Sequence, residues 1–180
     1  EFVYCSDAGL ASKNNKLFNS TGGRSYVITQ SLKKLKKEDR DIALNPKQFR
    51  LLGHEGFIDI SELDVYDPSI SNNVYYKIMP KTIGNQEEMV VITYSTKYKA
   101  YQESIRQEQI GRAIKAINTS GKIKRTKSNP NDPARFIKST NTTINGEVAD
   151  NVLHELDLEA IEKEKMYDGF YAVSTTADED

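Results

Sequence analysis

The hydrophobic and polar positions at the start of the chain follow first a strand pattern, then a helical one, then a strand again. A short apolar run at residues 2–5 (FVYC), with aromatic and β-branched members, is typical of a buried strand. Residues 10–19 (LASKNNKLFN) have loosely helical spacing and are followed by two glycines, which end helices. Residues 25–30 (SYVITQ) predict a second strand. This strand–helix–strand order predicts a compact α/β unit with parallel strands.

The middle of the chain has a different pattern, with shorter elements separated by turn-forming clusters. Residues 31–40 (SLKKLKKEDR) predict a charged helix. Short strand-like runs follow at residues 56–60, 74–79 and 89–94. Clusters rich in Asp, Pro, Asn, Ser and Gly separate these runs, and this spacing predicts a small antiparallel sheet.

The longest predicted helix spans residues 96–119, where apolar side chains recur near the helical period among basic ones. A proline-containing, basic stretch at residues 120–133 predicts a flexible loop. A weak strand at residues 135–138 and a turn at Asn145-Gly146 follow it. The chain ends with a predicted helix at residues 157–165 and a second buried strand at residues 169–174 (GFYAVS).

The two ends of the chain have the same strand character, so we expect them to share one core. The predicted fold class is therefore α/β (α+β). A core segment at residues 1–32 is interrupted by an inserted, antiparallel β-rich and helical subdomain at residues 33–150. Residues 151–180 then return to the core. Because the sequence begins inside a strand and ends abruptly, we expect it to be a piece of a larger protein.

Composition limits the classes of function. The net charge of −1 over 180 residues argues against a uniformly basic nucleic-acid binder, although basic patches are possible. No apolar run approaches the roughly 20 residues that span a bilayer. The single cysteine fits a reducing cytoplasm, and no Cys or His spacing predicts a zinc site. The composition therefore predicts a cytoplasmic protein without a membrane partner.

Asp7 is the acid that directly follows the first predicted strand. Aspartate between a strand and a helix is a preferred N-cap, because it accepts hydrogen bonds from the first turn. Functional groups of open α/β sheets also gather at the carboxyl ends of strands, where a carboxylate can bind Mg²⁺. By residue type alone, capping is favoured over catalysis, and both interpretations stay open.

Three blocks of the sequence resemble one protein family. The run CSDAGLASKNN, followed by GGRSYVITQSLK, is similar to the second-aspartate region of DDE transposases from bacterial insertion sequences, of the family-four type. Near the end, LDLEAIEKEKMYDGFYAVSTT resembles the stretch before the catalytic glutamate helix of these enzymes. The helix SIRQEQIGRAIKAI lies where relatives have a basic helix in a long β-rich insertion. The blocks occur in the family's order.

The resemblance implies a partial RNase H-like catalytic domain that cleaves and joins DNA strands with Mg²⁺ or Mn²⁺. Asp7 matches the second of three metal-binding acids, and is therefore the predicted catalytic and metal-binding residue. The other two acids are expected outside this sequence. We therefore expect the fragment to be inactive by itself, and whether it binds metal alone stays open. The implied partners are transposon-end and target DNA, met in an oligomeric synaptic complex in the bacterial cytoplasm.

Predicted DNA contacts lie in the basic segments and in one aromatic pair. The basic side chains can bind phosphates, although a charge run is usually a solvated face. In relatives an aromatic residue near 170 can stack on a flipped base, and strand alternation sends one of the two aromatics inward. The candidate DNA-binding residues are Lys122, Lys124, Arg125, Lys127, Arg106, Arg112, Tyr171 and Phe170.

Several other residues have simpler interpretations. Asp168-Gly169 predicts a tight turn rather than a second metal acid. Cys5 is expected to be a small buried hydrophobe, and His54 and His154 have no partner at metal-ligand spacing. The alternative to a transposase fragment is a non-enzymatic α/β module that binds nucleic acid or protein, in which Asp7 is only a cap.

Overall fold

The computed structural model describes residues 2–119, 131–142 and 151–177, together with the single positions 123 and 129. Within these residues the fold is α/β, with a mixed six-stranded sheet, a two-stranded antiparallel sheet and four α-helices. None of the helices described combines the length and the apolar character that a membrane crossing requires.

Eight strands and four helices follow one another along the described chain. The strands are β1 (Phe2–Ser6), β2 (Arg24–Thr29), β3 (Arg50–Leu51), β4 (Tyr75–Ile83), β5 (Gln86–Tyr94), β6 (Ile137–Thr142), β7 (Asn151–Leu156) and β8 (Phe170–Thr175). The helices are α1 (Lys13–Asn19), α2 (Lys37–Leu44), α3 (Thr96–Asn118) and α4 (Leu158–Lys165). Short 3-10 turns connect several of these elements.

The six-stranded sheet has the order β1-β2-β8-β5-β4-β3. Strands β1 and β2 are parallel and α1 connects them, as the strand–helix–strand pattern predicts. Strand β8 lies between β2 and β5 and is antiparallel to both. The middle strands β4 and β5 therefore belong to the same sheet as the chain ends, whereas the sequence pattern predicted a separate small sheet for them.

Two local predictions are wrong, and one strand was not predicted. Strand β1 is an edge strand, so Phe2 and Val3 are 61% and 45% exposed and Cys5 is also exposed, not buried. Residues 56–60 form only one isolated bridge, between Ile58 and Phe49. Strand β7, which pairs with β6, was not predicted.

The chain divides into two compact units, Glu1–Lys99 with Gly169–Asp180, and Ala100–Asp168. These boundaries differ from the 33–150 insertion that the composition predicts. The first unit contains the six-stranded sheet, whose buried face includes Tyr26, Ile28, Val90 and Ile92. The second unit has its own cluster of buried side chains, formed by Ala113, Phe136 and Ile161.

A buried lysine fixes the end of α2 in the first unit. Lys77 of β4 is 8% exposed, and its Nζ donates to the carbonyl oxygens of Ile42 and Asn45 at 2.7 Å each. The same Nζ lies 4.6 Å from the ring centroid of Phe49. Lysine is suited to this place because helix carboxyl ends carry unpaired carbonyl groups. Burial lowers the pKa of Lys77 to about 8.

A buried ion pair joins the two ends of the second unit. Arg106 of α3 is 4% exposed, and its Nη1 donates to Oδ1 of Asp168 at 2.6 Å, while Nη2 donates to Oδ2. Hydrogen bonding to Asp168 raises the pKa of Arg106. Gln109 and Glu164 likewise accept hydrogen bonds from Arg135. Side chains on α3 and α4 are therefore held by charged contacts beside the small apolar cluster.

We expect stability to rise with pH because of Lys77. Between the folded pKa of about 8 and the ordinary value of 10.5, the unfolded chain binds the proton more often than the folded one. The free energy of unfolding should therefore rise from about pH 7.5 to about pH 9.5, by on the order of 1 kcal/mol after solvent screening. Urea titrations should show this rise in the wild type and in Lys36→Met, where an exposed lysine is lost, but not in Lys77→Met.

We expect Asp168→Asn to destabilise the second unit by about 3 kcal/mol or more, because it leaves the Arg106 charge buried without its partner. The double variant Arg106→Met/Asp168→Leu should be less destabilised than Asp168→Asn, since it removes both charges. Chemical unfolding of the three proteins tests this. A double variant at least as unstable as Asp168→Asn would contradict the unpaired charge as the cause.

Candidate functional site

Asp7 lies at the carboxyl end of β1 and caps the turn that follows. Its backbone is extended, with φ −79° and ψ 176°, and its Oδ1 accepts a hydrogen bond from the amide of Gly9 at 2.8 Å. The side chain is exposed. The capping interpretation is therefore realised in the structure, and one carboxylate oxygen takes part in it.

This capping geometry recurs along the chain. Asp59, Asp67 and Asp132 each begin a 3-10 turn in the same way, with Oδ1 accepting from the amide two residues later. Aspartate suits this place because its short side chain can reach the free amides of the turn. Capping therefore does not distinguish Asp7 from these three, and only its place in the sheet does.

The parallel pair β1–β2 places Asp7 beside the end of β2. The register pairs Ser6 with Ile28, so the next positions, Asp7 and Thr29, follow at the same end of the sheet. Continued alternation along the extended backbone puts both side chains on one face. This is the carboxyl end of a parallel strand pair, where open α/β sheets bind ligands.

Strand β8 brings Tyr171 to the same end of the sheet. Strand β8 runs antiparallel to β2 with Val173 opposite Thr29, so Tyr171 lies just beyond the end of β2 and on the same face as Thr29. The Tyr171 Oη lies 2.7 Å from Oγ1 of Thr29, and the tyrosine is 44% exposed. Asp7, Thr29 and Tyr171 are called the β1–β2 end cluster below.

The aromatic neighbour Phe170 lies on the opposite face. Its ring packs against Tyr94 and Phe49, with centroids 5.2 and 6.2 Å away. Gly169, which precedes it, has φ +83°, and a Cβ there would lie 2.6 Å from the Tyr94 ring. The Asp168-Gly169 turn thus brings the backbone close to this aromatic core. Of the two predicted base platforms, Tyr171 is exposed, whereas Phe170 is half-buried against the aromatic core.

The basic residues predicted to contact DNA differ in their exposure in the structure. Arg106 is buried and paired with Asp168, so its guanidinium does not face solvent and cannot contact a phosphate in this structure. Arg112 of α3 is exposed. The remaining predicted contacts, Lys122, Lys124, Arg125 and Lys127, lie outside the described residues.

A buried polar network in the first unit was not predicted from the sequence. Lys16 of α1 is 3% exposed, and its Nζ donates to Glu88 Oε2 and Ser174 Oγ at 2.8 Å each and to Gln30 Oε1 at 3.2 Å. Tyr26 also donates to Glu88, at 2.7 Å. Burial, together with the Glu88 carboxylate, raises the pKa of Tyr26. Alternation in residues 86–94 was the available signal, because it places Glu88 on the same face as Val90 and Ile92.

The β1–β2 end cluster contains one carboxylate side chain that can bind a metal ion. Asp7 supplies the hard carboxylate oxygens that Mg²⁺ prefers. Within the part of the chain that the structure describes, however, no group of three or more His, Cys, Asp or Glu side chains is placed to hold a metal. The described residues therefore do not form a complete two-metal site.

We expect Asp7→Ala and Asp7→Asn to separate capping from charge. Asparagine keeps the oxygen that accepts from Gly9, so Asp7→Asn should leave the free energy of unfolding nearly unchanged. Asp7→Ala should lower it by about 0.5–2 kcal/mol. Thermal and urea unfolding measure both effects, and Asp67→Ala is the matched control at an equivalent cap. Equal losses in the two Asp7 variants would contradict a capping role.

Comparisons with known proteins leave the family of the chain unassigned. No protein-family model matches it, and neither a curated protein nor a solved structure matches it significantly.

Proposed function

We propose that this chain is part of a DDE transposase and contributes a portion of its RNase H-like catalytic core. The observation that supports the proposal best is the β1–β2 end cluster. Asp7 and Tyr171, which belong to separate blocks of the family resemblance, lie at the same end of one sheet. This is the end at which α/β sheets place their functional groups.

In this proposal Asp7 is one of three acids that bind Mg²⁺ or Mn²⁺, and the other two come from outside this sequence. The intact enzyme cleaves DNA and transfers the strand to a target. This chain is inactive alone, because one carboxylate cannot hold the metal pair that such chemistry uses.

The DNA contacts in this proposal come from an aromatic ring and from basic side chains. The exposed ring of Tyr171 offers a face on which a base can stack. Arg112 and the basic residues Lys122, Lys124, Arg125 and Lys127 bind phosphates of transposon-end or target DNA. The intact protein acts as an oligomer in a synaptic complex, in the bacterial cytoplasm.

The alternative is a non-enzymatic α/β module that binds nucleic acid or protein. One observation favours it: Asp7 caps its turn in the same way as Asp59, Asp67 and Asp132, which need no metal to explain them. The two proposals differ in whether the Asp7 carboxylate binds a divalent ion.

Manganese titration distinguishes these proposals, because Mn²⁺ broadens the NMR signals of nearby amides. If Asp7 belongs to a metal site, substoichiometric Mn²⁺ should broaden the amides of Gly9 and Thr29 before those around Asp67. The variant Asp7→Asn should abolish this selectivity, since it removes the charge and keeps the cap. Asp67→Asn is the matched control and should leave the broadening at Gly9 unchanged.

One result would contradict the transposase proposal, and another would contradict the inactivity of this chain alone. Equal broadening around Asp7 and Asp67 would favour the binding module, because the site would then be an ordinary exposed carboxylate. Metal-dependent nicking of supercoiled DNA by the purified chain, lost in Asp7→Asn, would contradict the inactivity of this chain alone.

A further inference from the structure

A concavity lies at the other edge of the six-stranded sheet, next to β3. Its volume is about 460 Å³, and α2, β3, β4 and the segment after β3 form its walls. Strand β3 pairs only with Tyr75 and Tyr76, so the rest of β4 forms the sheet edge along this concavity. The lining residues used in the argument below are Gln48, Arg50, Phe57, Tyr76 and Lys77.

The concavity combines exposed aromatic surface with positive charge. Phe57 is 65% exposed, and the guanidinium of Arg50 lies 5.0 Å from its ring centroid. Arg50 is exposed and pairs across the strands with Tyr76, so the side chains of these two residues lie on the same face of the sheet. None of the described lining residues is acidic. An anionic ligand with a flat ring is complementary to these groups.

Arg50 is the cation that can reach such a ligand. Lys77 also lines the concavity, but its ammonium is buried and bound to two carbonyl oxygens at the end of α2. Arg50 forms no ion pair with any of the described residues, and it combines a planar guanidinium with a charge that a phosphate can bind.

The backbone at the rim is held in an unfavourable conformation. Gln48 has φ +66°, the sole non-glycine residue with positive φ in the described chain. Such a conformation costs about 1 kcal/mol or more for residues with a Cβ, and it persists where neighbouring structure enforces it. Here the enforcing contacts are a turn at Asn45 and the bridge between Phe49 and Ile58. Strain of this kind clusters at ligand sites.

A row of side chains leads from the concavity across the sheet. The registers pair Arg50 with Tyr76, Tyr76 with Thr93, and Thr93 with Tyr171. All four residues therefore lie on one face, and the row spans about 14 Å from β3 to β8 at the usual strand spacing. Aromatic rings and a terminal arginine along one face fit several linked bases better than a single free nucleotide.

We propose that the concavity binds a nucleotide of single-stranded DNA, with the base stacked on Phe57 and the phosphate bound by Arg50. The strand then continues along the row towards Tyr171. This inference rests on the proposed function for the choice of DNA as the polymer, but it does not require Asp7 to bind a metal.

The test is the binding of a fluorescein-labelled oligo(dA) to the whole chain, measured by anisotropy. Phe57→Ala should weaken binding about tenfold, in line with the loss of one stacked base. Arg50→Gln should weaken it and also reduce the salt dependence by about one phosphate contact. The matched controls are Phe18→Ala and Arg24→Gln. Phe18 has the same 65% exposure, and Arg24 covers its ring at 4.3 Å, but neither lines the concavity.

Each outcome decides between specific possibilities. Equal losses of affinity in the Phe57→Ala and Phe18→Ala variants would overturn the inference. Binding of dAMP as tight as that of the oligonucleotide would also overturn it. So would displacement of the oligonucleotide from the β4 edge by an uncharged extended peptide. If Tyr171→Ala weakens binding while Phe57→Ala and Arg50→Gln do not, the inference fails and the proposed function stands. If Phe57→Ala weakens DNA binding but Mn²⁺ does not selectively broaden the amide signals near Asp7, the metal site is contradicted and the inference stands.

Discussion

Strand β8 is hydrogen-bonded on both sides, and the first unit depends on this double pairing. One side pairs with β2 and the other with β5. Without β8, the parallel pair β1–β2 would be a two-stranded sheet, which is marginal in water, and it would be separate from the antiparallel strands β3 to β5. The same strand places the exposed ring of Tyr171 beside Thr29 and turns Phe170 towards the aromatic core. The geometry of the β1–β2 end cluster, and its connection through β5 to the strands beside the concavity, therefore follows from where β8 inserts.

The buried polar network ties α1 to this arrangement. Ser174 of β8 is fully buried, and its Oγ accepts from Lys16 and donates to Gln30. Burying the Lys16–Glu88 pair costs desolvation free energy, so apolar side chains could stabilise the core as well. The network instead makes the core specific, because a shift of β8 by one residue would move Ser174 to the other face and leave the lysine without this partner.

The sequence predicts elements well where periodicity is strong, and predicts burial poorly. The parallel β1–β2 unit follows from its local pattern, but the exposure of Phe2 and Val3 depends on β1 having a single neighbour among the described strands, which no local pattern contains. Arg106 was predicted to be a solvent-facing basic residue, because its ion pair with Asp168 joins residues 62 positions apart in the sequence. The role of Asp7 cannot be decided by its residue type, since capping and metal binding use the same oxygens in the same local structure.

The two candidate sites differ in whether the sequence alone could identify them. The β1–β2 end cluster contains residues that the family resemblance had already selected. The Arg50–Phe57 stack has no sequence motif, because the cross-strand pairing of β3 with β4 and the loop after β3 assemble it. Both nevertheless lie along one face of one sheet, connected through Tyr76 and Thr93. This face, with aromatic rings on β4 and β8, is the surface along which our proposal places one strand of DNA, because each cross-strand pair fixes the distance to the next.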